Sequence, residues 1–176
     1  MISFDNYIID KIREDDALGI CKLMNNNASR FQRFFPKTLA QNLTFEDSKK
    51  FALLKSQEHD SKVEFTFVLK EQNLNKIAGL IILKELDWGK KQGELAYCID
   101  SKYEGKGLTT KAVKFLSQYA IDNISLETLQ VVVHKSNNGS IKVARNCGYK
   151  WEKTLINEYT PPNESALDME LYELKK

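Results

Sequence analysis

Residues 7–13 alternate apolar and polar side chains, the period of a half-buried strand, and Asp15 or Asp16 then caps a predicted helix running to about Met24. The triplet Asn25, Asn26, Asn27 ends that helix. Phe31, Phe34 and Phe35 gather before Pro36, where they either plug the core between two helices or line a pocket. Thr44 with Asp47 approximates a capping box and predicts a helix to about Glu58. From Glu64 the period shortens to two. Phe65, Phe67 and Leu69 share one strand face, 72–76 form a turn, and 77–86 continue as the second arm of a hairpin. A further turn over 88–92 leads to a third strand over 94–99.

Leu108, Ala112, Phe115, Leu116 and Tyr119 then recur at helical spacing and predict a helix to about Ile121. The β-branched run 129–133 reads as a buried strand. Strand, helix and strand in this order favour parallel pairing of the segments around Ala96 and Val132 through a right-handed crossover. Residues 140–146 read as another helix, stopped by Gly148, and 151–159 with 166–174 close an antiparallel hairpin across TPPNES. No repeat, low-complexity stretch or linker interrupts the pattern. With 176 residues and 42% hydrophobic content, a single core is expected, burying roughly 70% of the unfolded surface.

Charge and cysteine usage narrow the function classes. The 26 basic and 24 acidic side chains leave a net charge of +2, which argues against nucleic acid or an anionic membrane as partner. Cys21, Cys98 and Cys147 show no C-x-x-C spacing and have only His59 and His134 as companions, so free thiols in a reducing cytoplasm are expected and no metal site. The longest apolar run, 77–83, falls far short of the roughly 20 residues that span a bilayer, so the expected protein is soluble, unsecreted and cytoplasmic.

The chemistry concentrates in YCIDSKYEGKGLTTKAV, where a strand passes through glycines directly into an amphipathic helix. Gly105 and Gly107 allow a sharp turn that exposes successive N–H groups, and the helix beginning near Leu108 points its positive dipole end into the same space. A phosphate or pyrophosphate suits such a cradle. GKG lacks the frame and Lys-Ser/Thr ending of a Walker motif.

The segments GELAYCIDSKYEGKGLTTKAV and VHKSNNGSIKVARNCGYKWE, at this separation, resemble the GNAT superfamily of N-acetyltransferases. FFPKTL, TFEDSKKFA and LDMELYEL extend the resemblance over nearly the whole chain, toward the RimJ/RimL-type branch that acetylates ribosomal-protein N-termini. The resemblance implies an α/β (α+β) acyl-CoA N-acyltransferase fold in one domain over 1–176. It comprises a mixed, mostly antiparallel seven-stranded sheet, flanking helices and a cofactor cleft at splayed central strands. It further implies acetyl-CoA as cofactor and direct transfer in a ternary complex to a primary amine, first a protein N-terminal α-amine. A polyamine, amino acid or antibiotic is the alternative acceptor, and a non-catalytic acyl-CoA-binding module the alternative class. A homodimer is compatible with the sequence.

Glu104 departs from the resemblance, standing where the family usually has Gln or Arg. It is expected to face solvent or pair with Lys102 or Lys106, leaving the N–H groups of Gly105, Lys106, Gly107, Leu108, Thr109 and Thr110 to hold the pyrophosphate. Acetyl transfer from a thioester requires a neutral amine, donors for the developing oxyanion and a proton for the thiolate. By the resemblance Glu94 is the general base, or else an exposed edge-strand charge, with Glu85 in reserve. N–H groups around Cys98 and Ile99 bind the thioester carbonyl and pantetheine, and Asn137 orders the cofactor arm. Ser140 is the acid toward the thiolate, or the N-cap of its helix, roles that do not exclude each other. Tyr149 reads as core and His134 as a hydrogen-bonded structural histidine. Cys98 and Cys147 read as small buried hydrophobes.

Overall fold

A computed structural model describes residues 1–72, 74 and 76–176. It carries one open sheet of 8 strands in the order β1-β2-β3-β4-β5-β6-β8-β7. The strands are β1 (Ile2–Phe4), β2 (Tyr7–Lys11), β3 (Phe65–Glu71), β4 (Lys76–Asp87), β5 (Gln92–Ile99), β6 (Thr128–Val133), β7 (Lys150–Tyr159) and β8 (Leu167–Lys175). The expected count was seven, and the additional strand is β1. It folds back on β2 with Phe4 opposite Tyr7, so Asp5 and Asn6 form a two-residue hairpin loop with Asp5 in the left-handed region (φ 47°). The turn expected over 72–76 includes Asn73 and Asn75, which lie outside the described residues.

The chain forms two compact units, Met1–Ile82 with Tyr97–Lys106, and Leu83–Ala96 with Gly107–Lys176. In the first, β1, β2 and β3 are antiparallel, and the helices are α1 (Ala17–Asn26), α2 (Ala28–Phe31), α3 (Pro36–Ala40) and α4 (Phe45–Asp60). Its core joins Ile12, Ile20, Leu23, Met24, Phe31, Phe51 and Leu80, with Phe35 and Leu39 packed against it. Phe31 therefore belongs to the core, and Phe35, partly buried, packs against it.

Thr44 caps α4 as expected, accepting from the Asp47 N–H at 3.1 Å. At the other end of the pattern, a 3-10 turn over Glu14–Asp16 precedes α1, and Asp16 stands at the α1 N-cap without capping it through its side chain. Its carboxylate accepts the Arg13 N–H and pairs with Lys70 at 2.5 Å, both side chains being buried.

In the second unit β5 and β6 are parallel, in the register Gln92↔Thr128, Gly93↔Leu129 and Glu94↔Gln130, as the crossover pattern predicts. β8 lies between β6 and β7, antiparallel to both. Helix α5 (Leu108–Asp122) buries Leu108, Ala112 and Leu116 of the stripe read from the sequence, together with Val113 and Ala120, whereas Phe115 is exposed and Tyr119 only partly buried. Helix α6 (Asn138–Asn146) ends in a Schellman turn. Gly148, at φ 90°, donates to Arg145 O and Tyr149 donates to Ala144 O.

Candidate active site

Asp100 ends β5 and fixes the approach to the glycines. Its N–H donates to Ala78 O at 2.8 Å, and its buried carboxylate caps the 3-10 turn Ser101–Tyr103 by accepting the Lys102 N–H at 3.0 Å. Gly105 (φ 73°) and Gly107 (φ 71°) then adopt left-handed backbone, and a Cβ added to either would meet nothing within 4 Å. The glycines are thus demanded by the turn rather than by crowding, and the space beside them is open. Gly107 occupies the N-cap of α5 with no side chain to accept the N–H groups that start a helix. An anionic group fits this arrangement: exposed glycines, N–H donors lacking intrahelical acceptors and the positive end of the longest helix in its unit.

Glu104 is paired, but with neither lysine expected for it. Its carboxylate meets the Arg30 guanidinium, while the Lys106 ammonium sits 5.6 Å from the Tyr103 ring centroid. Cation–π attraction to Tyr103 gives Lys106 an alternative seat, and Arg30 has the geometry to take Glu104.

Glu94 stands on β5 with its side chain only 17% exposed and 3.0 Å from the Lys84 ammonium. The alternative of an exposed edge-strand charge is overturned, because β5 lies between β4 and β6. Burial pushes the Glu94 carboxyl above its ordinary range. Lys84 pulls it down, Glu85 and Glu158 push further up, and the net direction is upward. Glu85 is exposed and sits at φ 50°, away from regular strand backbone.

Asn137, not Ser140, is the N-cap of α6: its carboxamide oxygen accepts the Ser140 N–H at 3.1 Å. The helix begins two residues earlier than expected, placing Ser140 in its first turn rather than at the cap. His134 Nδ1 lies 2.7 Å from Ser136 Oγ, in the structural role read for it. Tyr149 is buried with its hydroxyl 2.8 Å from that of Ser117.

The buried thiols are poor nucleophiles. Burial raises Cys98 to about 12 and Cys147 to about 11, and Cys147 Sγ lies 3.3 Å from Thr110 O. Gly79 opposes Cys98 so closely that any Cβ there would collide with the Cys98 carbonyl. Arg30, Lys84 and Glu158 escaped the sequence reading, since Arg30 and Glu158 act on site residues far away along the chain and Lys84 acts on Glu94 from another strand. Among the described residues no group of His, Cys, Asp and Glu could hold a metal ion, and no helix is long and apolar enough to cross a membrane.

An open mixed sheet thus feeds a glycine turn at a helix N-terminus, with a largely buried carboxylate on the feeding strand. Residues 6–150 match the acetyltransferase (GNAT) domain family, and the chain belongs to that family of acyltransferases. Among curated proteins it is similar to spermidine N(1)-acetyltransferase of Escherichia coli (strain K12), 29% identical over 146 residues, 83% of this chain and 74% of that one. Among solved structures, the ribosomal-protein-S5-alanine acetyltransferase of Vibrio fischeri superposes with a TM-score of 0.92 at 23% identity, covering 99% of this chain and 95% of that one. RimL, the ribosomal L7/L12 alpha-N-protein acetyltransferase solved with coenzyme A, gives 0.88 at 15% identity over 98% and 95%. These likenesses show a shared fold.

Proposed function

We propose that residues 1–176 act as one cytoplasmic N-acetyltransferase domain that moves an acetyl group from acetyl-CoA to a primary amine in a ternary complex. The observation that carries this reading is Glu94, a largely buried carboxylate raised above its ordinary range on the strand that leads through Asp100 to Gly105 and Gly107. Acetyl-CoA supplies an activated thioester. The N–H groups of residues 105–110 hold its pyrophosphate. Glu94 takes the proton of the acceptor ammonium, directly or through one water, and burial raises its affinity for that proton.

Main-chain direction alternates along a strand. With the Asp100 N–H given to Ala78, the Ile99 N–H is directed to the opposite edge of β5, where it and the backbone around Cys98 would bind the thioester carbonyl and pantetheine. Asn137 holds the turn that presents Ser140, whose hydroxyl would give a proton to the departing sulfur and recover one from the newly acylated nitrogen.

A protein N-terminal α-amine is the first acceptor, supported by the fold shared with ribosomal-protein acetyltransferases. A small polyamine is the second, favoured by the spermidine acetyltransferase relative and by Glu85 and Glu158, whose charges act on Glu94. Free-thiol release from acetyl-CoA, screened against ribosomal-protein N-terminal peptides and common amines, tests both. Release should require an acceptor, and Glu94→Gln should lower kcat by about 100-fold while coenzyme A still binds. Undiminished turnover in that variant contradicts the assigned base.

A further inference from the structure

We propose that Arg30 is a positioning residue for donor binding: its guanidinium clamps and neutralises Glu104, which lets a loop that carries a carboxylate accept a phosphate. The inference rests on the acetyl-CoA reading above. It begins from an apparent conflict. Glu104 directly precedes Gly105, and consecutive Cα atoms are only about 3.8 Å apart. A bare carboxylate there lies within the Debye length, about 8 Å at physiological salt, of any anion seated on the glycine amides.

Arg30 removes the conflict through several simultaneous contacts. One terminal nitrogen donates to the Asn27 carboxamide oxygen at 2.7 Å and to Ile99 O at 3.3 Å, and the other meets the Glu104 carboxylate. Asn27 is itself fully buried. Its oxygen also accepts the Ser101 N–H at 3.1 Å, and its nitrogen donates to Leu23 O at 2.9 Å. One node at the α1–α2 junction therefore fixes the carbonyl of Ile99, the N–H of Ser101 and the side chain of Glu104.

The pair's own contribution to stability is small. Both partners are more than a third exposed, and exposed ion pairs are worth about 0–1 kcal/mol. Its larger consequence is electrostatic and geometric. A planar fork can reach these acceptors together, which a lysine ammonium on a flexible stem does less well.

The test is calorimetric titration of coenzyme A into wild type, Arg30→Ala, Arg30→Lys, Glu104→Gln and the Arg30→Ala/Glu104→Gln double variant, at low and high salt, with acetyl-CoA KM and kcat alongside. Arg30→Ala should weaken coenzyme A binding about tenfold, roughly 1.4 kcal/mol, with the loss falling on KM rather than kcat. Adding Glu104→Gln should restore most of it, Arg30→Lys should lie between, and high salt should shrink the Arg30→Ala defect. A defect equally large in the double variant and insensitive to salt would reduce Arg30 to a structural prop and overturn the proposal. Unchanged binding in Arg30→Ala, with wild type binding normally, overturns it as well. If wild type fails to bind coenzyme A, the cofactor reading falls and takes the clamp with it.

Discussion

Helices α5 and α6 start in opposite ways. At α6 the chain supplies its own acceptor, the Asn137 carboxamide at 3.1 Å from the Ser140 N–H. At α5 the cap position is Gly107, left-handed and without a side chain, and it is preceded by a second left-handed glycine with open space around both. α4 follows the α6 pattern, with Thr44 accepting the Asp47 N–H. A self-capped start is complete in itself, whereas a glycine start leaves its donors for something outside the chain. On the function proposed above, the contrast sets a self-capped helix start against one open to an anion.

Substitutions can break this contrast, and the largest effect is expected at α5. Gly107→Val places a β-branched residue at φ 71° and a side chain over the donors, costing on the order of 1–3 kcal/mol in backbone strain alone. Coenzyme A affinity measured by calorimetry should fall about 100-fold. Affinity within threefold of wild type would show that the α5 start is no anion site.

A smaller effect is expected at the carboxylate upstream. Glu94 must be ionised to act, so kcat/KM should rise with pH through a value above the ordinary glutamate range. Lys84 lowers that value, so Lys84→Met should move the acidic limb of the pH profile upward. A limb that stays in place would detach it from Glu94. The same shift bears on stability with a definite sign. The native state binds the Glu94 proton more tightly than the unfolded chain does, so its contribution is present at low pH and declines as pH rises through the raised value.

The smallest effect is expected at α6. Asn137→Ala removes a cap worth about 1 kcal/mol and should lower Tm by about 2–4 °C, with Asn137→Asp restoring most of it. Calorimetric scans that place the two variants together would show that the carboxamide does not cap α6.

What the sequence disclosed follows from how locally each feature is encoded. Gly105, Gly107 and Leu108 announce the α5 start, and Gly148 announces the end of α6, because left-handed turns and helix caps depend on a few adjacent residues. Parallel pairing of β5 with β6 was legible for a similar reason, the crossover having one favoured hand. The cap of α6 was misplaced at Ser140, whereas Asn137 holds it. Both residue types cap well, and the decision rests on the backbone at Asn137, φ −84° and ψ 69°, which composition does not reveal.

Least legible were the partners. Arg30 reaches Glu104 across 74 positions, and Glu94 is tuned by Lys84 on β4 and Glu158 on β7, so only the assembled sheet and helices bring these charges together. Glu104 looked like a liability along the chain, and in the fold it is half of an ion pair.

The most direct measurement follows the backbone amide resonances of wild type during titration with coenzyme A. The largest shifts should fall on residues 105–110, saturating together, with the self-capped start of α4 unmoved. Binding that leaves residues 105–110 unshifted would contradict the assignment of the α5 start as the phosphate site.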